Sequence, residues 1–342
     1  FTLTTGADVL AMTTGDDTIT GTVGTLNSND IILDNSTTDN DVLNATITDA
    51  TLKPTIKNIE KANLTWASNA DMVFDAVNST GNSFNVTANA LAFTGNVKFD
   101  NLGTNNVAVD SKVTGTLLLE EVVKSTVNAG AATAVTLTKG TSTVVGEKTS
   151  ADITVNNNVT FTNAAATGVE NVTLRSTVEG AKVTAAAADQ IVNQLTFAGD
   201  KSITYNGVVT GEKIVNSLTA GKLTIESTDT GALNTSKINA NLISLKGATN
   251  AVTVANNQNF LVDNATAGAA LTGFTAATGV TNAVVNLETK ANLSAAGVDI
   301  TGISTLNLDA KAATTINVLK TDAENNVNIT GDSKTTISAM TG

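Results

Sequence analysis

The sequence predicts an all-β chain wound as a right-handed parallel β-helix, a β-solenoid, entered through an acidic N-terminal segment. Three observations predict it. Short segments alternating apolar and polar residues recur along most of the chain, the period-two signature of strands. Similar segments return roughly every 20–30 residues, a solenoid repeat length. The apolar residues are mainly Val, Leu, Ile and Ala among Thr, Asn, Gly and Ser, with one Trp, one Tyr and one Pro. That set suits a thin stacked interior better than one thick core. The same strand spacing also suits tandem β-sandwich domains, the alternative. Asn beside strand ends ("NNNVT", "TNAV", "NNVNIT") favours the solenoid. Asn tolerates left-handed turns and can ladder with Asn in adjacent coils.

The elements follow in order. Residues 1–50 hold Asp8, Asp16, Asp17, Asp30, Asp34, Asp39, Asp41 and Asp49 and no Lys or Arg. The first basic residue, Lys53, stands beside the only proline, Pro54. This shift divides the chain into an acidic segment, 1–55, and a solenoid region, 56–342. Strands are predicted at "NLTWAS" (63–68), "SFNVTAN" (83–89), "NVKFDNL" (96–102), "NVAVDS" (106–111), "GTLLLEEVV" (115–123) and "ADITVNNNVTFTN" (151–163). They continue through "NVTLRS" (171–176), "QLTFAGD" (194–200), "KLTIES" (222–227), "AVVNLET" (283–289), "TLNLDA" (305–310) and "NVNITGD" (326–332). A looser recurrence, "IKNIEKANLTW" (56–66), "ATGVENVTLRS" (166–176) and "ITGISTLNLDA" (300–310), reads as a corner followed by a Leu-centred strand. Its Glu60 and Glu170 are expected at turns or strand edges. The best helix candidate is "AAAADQIVNQL" (185–195), where Ile191, Val192 and Leu195 share one helical face.

Composition removes several functions. With no Cys and no His, disulfides, Cys nucleophiles, His bases and the usual zinc sites are excluded. A net charge of -12 with a single Arg, Arg175, and 3% aromatics argues against nucleic-acid binding. No apolar run approaches the roughly 20 residues of a membrane helix. Enzyme constellations are weak. Glu120 and Glu121 are expected on opposite strand faces, and Asp71 and Asp75 imply no cleft. The chain is expected not to be an enzyme. It starts at Phe1 without a leader, and we read it as a piece of a longer protein.

The acidic segment carries the one motif with a mechanism. Thr4-Thr5-Gly6-Ala7-Asp8 recurs nine residues on as Thr13-Thr14-Gly15-Asp16-Asp17. Gly6-x-Asp8-x-Leu10 and Gly15-x-Asp17-x-Ile19 match the second half of the nonapeptide calcium repeat, in which carboxylate and carbonyl oxygens supply hard ligands. "SNDIIL", with Asp30, and "DNDVLN", with Asp41, continue it loosely, and Asp34 and Asp39 flank the loop between them. The expected metal is Ca²⁺, its ligands drawn from Asp8, Asp16, Asp17, Asp30, Asp34, Asp39 and Asp41. A divalent cation would also relieve their mutual repulsion.

The opening "FTLTTGADVLAMTTGDDTITGT", the acidic "NDIILDNSTTDNDVLNATI" and the "NIEKANLTW" that follows resemble surface-layer proteins of the repeats-in-toxin (RTX) class, exported by Gram-negative bacteria through type I secretion. The match covers residues 1–66; beyond it only the Thr, Asn, Ala and Val-rich texture agrees. The double glycines of the repeat are missing. The resemblance implies a calcium-stabilised β-rich protein on the outer cell surface, self-assembling into a two-dimensional lattice. It implies attachment to lipopolysaccharide through regions outside this segment. Alternatives are a secreted adhesin or binding module of the same class and, third, a polysaccharide-active β-helix enzyme.

Overall fold

The computed structural model describes residues 1–68, 70–88, 93–110, 112–139, 149–155, 158–163, 169–185, 193–209, 213–293 and 297–342. The strand pairings given for them are all parallel. Sandwiches need antiparallel hairpins; parallel neighbours about 20 residues apart in sequence are the stacked coils of a β-solenoid. The chain forms two compact units, Phe1–Gly199 and Asp200–Gly342.

In the first unit the chain passes back and forth between rows of stacked strands. One row stacks Thr18–Gly21, Val42–Ile47, Lys61–Trp66, Ser83–Ala88, Asn106–Val109, Lys124–Asn128, Ser150–Val155, Asn171–Ser176 and Gln194–Gly199. A second stacks Thr51–Leu52, Met72–Asp75, Val97–Asp100, Thr116–Val122, Ala134–Lys139, Val159–Asn163 and Ala181–Ala185. A short third holds Val9–Ala11, Ile31–Leu33 and Thr55–Lys57. The acidic segment is thus woven into the stack, with Val42–Ile47 in register against Lys61–Trp66.

Period-two patterning decides what fills the interior, because alternate side chains face opposite sides of a strand. In the first row Leu43, Ala62, Phe84, Val107, Val127, Ile153, Leu174 and Phe197 stand one above another. Each is at most 2% exposed. Apart from the exposed Phe1, the scarce aromatics lie inside: Phe84 meets Phe74 and Phe99 of the second row at ring-centroid distances of 4.7 and 5.5 Å. The corner units recur as predicted. Ile59, Val169 and Ile303 are buried, just ahead of strands that begin at Lys61, Asn171 and Thr305.

Asn fills the two roles its position allows. Asn58 and Asn101 adopt left-handed backbone at corners (φ 54° and 52°). Amide ladders join adjacent coils. On the outside, Asn85 donates to Asn63, which donates to Asn44. Inside, buried Asn82 and Asn105 clamp successive corners.

In the second unit one row stacks Ile203–Gly207, Leu223–Ser227, Leu242–Leu245, Gln258–Val262, Val284–Thr289, Thr305–Ala310 and Asn326–Gly331. Another stacks Gly231–Asn234, Thr249–Val254, Gly273–Ala276, Val298–Gly302, Thr314–Lys320 and Thr335–Thr341.

Two local expectations change. Glu120 and Glu121 do not face opposite sides: Glu121 has φ 55° and the register slips between Leu119 and Val122. This β-bulge leaves both glutamates half-buried. Most of the helix predicted at 185–195 (residues 186–192) lies outside the described residues, and Gln194 already begins a strand. The helix among the described residues is Ala265–Ala270, where Asn264 caps the N-terminus by accepting the Ala267 N–H. No helix among them is long and apolar enough to cross a membrane.

Candidate metal centre

The two Thr-Thr-Gly-x-Asp units fold alike. Asp8 accepts the main-chain N–H of Thr4 at 2.7 Å and its hydroxyl at 3.0 Å. Asp17 accepts the N–H of Thr13 at 2.6 Å. In each unit the glycine N–H donates to the Thr hydroxyl. The nine-residue repeat therefore builds two turns, each closed by its own carboxylate.

A second tier repeats in the same way. The Asp8 N–H donates to Asp30 Oδ1 at 3.0 Å, and the Asp17 N–H to Asp41 Oδ1 at 2.8 Å. Asp30 and Asp41 are both 0% exposed. Burial disfavours the charged form, and it pushes both carboxyls above the ordinary carboxylate range; for Asp41 the Asp34, Asp39 and Asp17 carboxylates add to it.

Here the two corners part. Asp30 completes its turn by accepting the Asn27 N–H on Oδ2 at 2.9 Å, and the Asn27 amide donates to the Gly6 carbonyl at 2.8 Å. Asp41 Oδ2 has no partner. Nor has either oxygen of Asp34, 3% exposed, or of Asp39, whose oxygens are shielded from solvent. One oxygen from each of Asp34, Asp39 and Asp41 lies within 4.8 Å of the others. No Lys or Arg among the described residues forms an ion pair with them. At an effective dielectric of about 20, charges this close repel by roughly 3–4 kcal/mol per pair.

The backbone holds this cluster on both sides. The Asp34 N–H donates to the Lys57 carbonyl, and the Asn58 amide donates to the Asp34 carbonyl. The Asp41 N–H donates to Glu60 Oε2 at 2.8 Å, which gives the corner glutamate its job. Asp16, on the exposed side, accepts the Asn40 N–H. Of the seven predicted ligands, the structure brings together Asp34, Asp39 and Asp41. Asp8, Asp17 and Asp30 are occupied as turn caps, and Asp16 bonds the loop at Asn40 without joining the group of three. All three clustered groups are carboxylates, the chemistry of a hard cation site.

A second feature lies in the second unit. An open groove of about 570 Å³ runs over the outer face of its first row. Asn259, Asn286, Asn307 and Asn328 ladder along it with amide hydrogen bonds of 2.8–2.9 Å. Glu288 and Asp309 flank the ladder, each tied to a lysine, Lys290 at 3.2 Å and Lys311 at 2.9 Å. The pairs considered for acid–base work in the first unit are likewise engaged: Asp71 binds Asn96, Asp75 binds Lys53 and Asn101, and Glu120 binds Lys98. Compared with known proteins, the chain matches no family model and no curated protein.

Proposed function

We propose that the chain is a non-catalytic structural component of a bacterial surface layer of the RTX type, its acidic segment ordered by Ca²⁺ and its copies self-assembling into a two-dimensional lattice at the cell surface. The observation that carries the reading is the set of shielded, unpartnered carboxylate oxygens on Asp34, Asp39 and Asp41, inside the segment whose sequence resembles those proteins. A cation there would convert a repulsive corner into a cross-link. The rows of parallel strands support the reading by giving a regular scaffold with repeating outer faces, suited to repeated contacts between copies. Attachment to lipopolysaccharide would fall to regions outside this segment.

The test is assembly. Chelator-treated protein is titrated with Ca²⁺ and followed by light scattering and negative-stain electron microscopy. Ordered sheets that form with calcium and dissolve with chelator are expected. Melting temperature and particle size unchanged between the two conditions would sink the calcium mechanism. A second reading, a secreted adhesin segment, draws on the Asn-lined groove of the second unit. It predicts isolated particles under calcium and retention on a glycan array. Cleavage in a polysaccharide panel would instead establish an enzyme.

A further inference from the structure

We propose that the acidic segment holds one hard divalent cation, in the single loop 34–41, with Asp34, Asp39 and Asp41 as its ligands, and that Asp8, Asp17 and Asp30 are structural caps that take no part in it. The assignment rests on the calcium-ordered reading above and sharpens it. It also departs from what the sequence motif points to, since the Gly-x-Asp carboxylates of Asp8 and Asp17 drop out.

The argument is one of vacant lone pairs. Asp8 and Asp17 accept hydrogen bonds from Thr4 and Thr13 within their own turns. Asp30 Oδ1 and Oδ2 accept the N–H groups of Asp8 and Asn27. On Asp8 and Asp30 a metal would compete with a donor at each oxygen, and on Asp17 with the N–H that closes its turn; none of their oxygens is among the shielded, unpartnered ones. The loop is different: five carboxylate oxygens are both shielded and unpartnered, two on Asp34, two on Asp39 and one on Asp41. Buried polar atoms are ordinarily paired, and anionic ones all the more so. Asp30 and Asp41 occupy equivalent places beneath the two turns, so Asp30 serves as the internal control. Asp30 received an Asn partner; Asp41 received Asp34 and Asp39.

The donor set selects the cation. Five oxygens with no nitrogen or sulfur disfavour zinc and copper. Ca²⁺ takes 6–8 oxygens in flexible geometry, so these five and one to three waters or carbonyls would complete its shell. Mg²⁺ demands a near-ideal octahedron and is reluctant to lose water, which makes it the weaker ligand for a site offering five protein oxygens.

The experiment is calorimetric titration of CaCl₂ into the chelator-treated 342-residue chain, with thermal melts of each variant in calcium and in chelator. The wild type should bind about one ion. Asp34→Asn and Asp39→Asn should weaken binding at least about tenfold by removing charged ligands. Both should also melt at or above the wild-type temperature in chelator, because each removes an uncompensated charge. Asp8→Asn should retain calcium affinity and melt lower in both conditions. Asp39, at the half-buried edge of the loop, keeps the test valid should Asp34→Asn fold poorly. Calcium binding that survives Asp39→Asn and is lost in Asp8→Asn would overturn the assignment while leaving a calcium-ordered segment intact. No calcium binding by the wild type would overturn both.

Discussion

Replacing Asn105 by Ala should be among the most costly single changes in the first unit, although it removes no apolar packing. Asn105 is 1% exposed. Its amide N–H groups donate to the carbonyls of Ser79 at 2.9 Å and Leu102 at 2.8 Å, and its Oδ1 accepts the N–H and the side-chain amide of Asn82 at 3.1 and 3.0 Å. Alanine would orphan the Asn82 N–H and the Asn105-facing lone pair of Ser79. The Leu102 carbonyl keeps the Asn105 main-chain donor, and the Asn82 amide keeps the Ile56 carbonyl. Two orphaned buried groups at about 1–3 kcal/mol each give a loss of about 2–6 kcal/mol. For a unit of this size that is a fall of roughly 4–24 °C. Asn63→Ala is the control. Asn63 also makes two amide ladder bonds, but on the outside, where water replaces them at a cost under about 1 kcal/mol. Urea unfolding read by the fluorescence of Trp66, the only tryptophan and a member of the first unit, compares them directly. Equal losses for the two variants would refute the claim that burial, and not the ladder itself, sets the energy.

Three further outcomes are expected. Phe84→Ala should cost about 3–5 kcal/mol in the same assay, since Phe84 is 0% exposed and touches both Phe74 and Phe99; a loss below about 1 kcal/mol would mean the stack is not packed as described. Asp263→Asn should lower stability at pH 7 by up to about 1 kcal/mol, read from Tyr205, the only tyrosine, in the second unit. There the hydrogen bond from Lys246 at 2.7 Å holds the Asp263 carboxyl below its ordinary value. A depressed folded value contributes stability above the unfolded value of about 3.9 and loses it as pH falls through the folded one, so the deficit of the variant should fade below about pH 4; a deficit that grows in acid would reverse the sign of the argument. Glu60→Gln should leave one acceptor for the Asp41 N–H and so preserve the corner, whereas Glu60→Ala removes the 2.8 Å bond and should cost about 1–2 kcal/mol of unfolding free energy.

The fold was legible because a solenoid states itself locally. Each coil repeats the same alternation, so "NLTWAS", "NVTLRS" and "TLNLDA" could be read as equivalent strands before any pairing was known. The structure adds that their corners, Ile59, Val169 and Ile303, are buried as well. What escaped was irregularity. A period-two reading puts Glu120 and Glu121 on opposite faces, and only the left-handed backbone at Glu121 reveals the bulge. The Ala265–Ala270 helix has no apolar stripe to announce it, only the small residues ATAGAA behind the cap at Asn264.

The acidic segment shows a different limit. Spacing matches Asp8 and Asp17 to a nine-residue Gly-x-Asp repeat, and the shared acidic segment groups Asp16, Asp30, Asp34, Asp39 and Asp41 with them as candidate ligands. What separates them is the group that each carboxylate meets in its own loop, which the Gly-x-Asp spacing does not encode. Asn27 satisfies Asp30; nothing equivalent reaches Asp41 Oδ2, and the loop that approaches it brings Asp34 and Asp39 instead. One signal was present in the sequence. "TLNSND" places Asn three residues before Asp30, where its side-chain amide can tie the turn to the Gly6 carbonyl while its main-chain N–H meets the carboxylate, whereas "TTDND" places Thr38, which has no amide, three residues before Asp41 and crowds the same corner with Asp39. A chain that needed only a turn could have used the first solution twice. It did so once, and at the second corner concentrated like charge in a buried place, an arrangement that costs free energy unless a cation shares it.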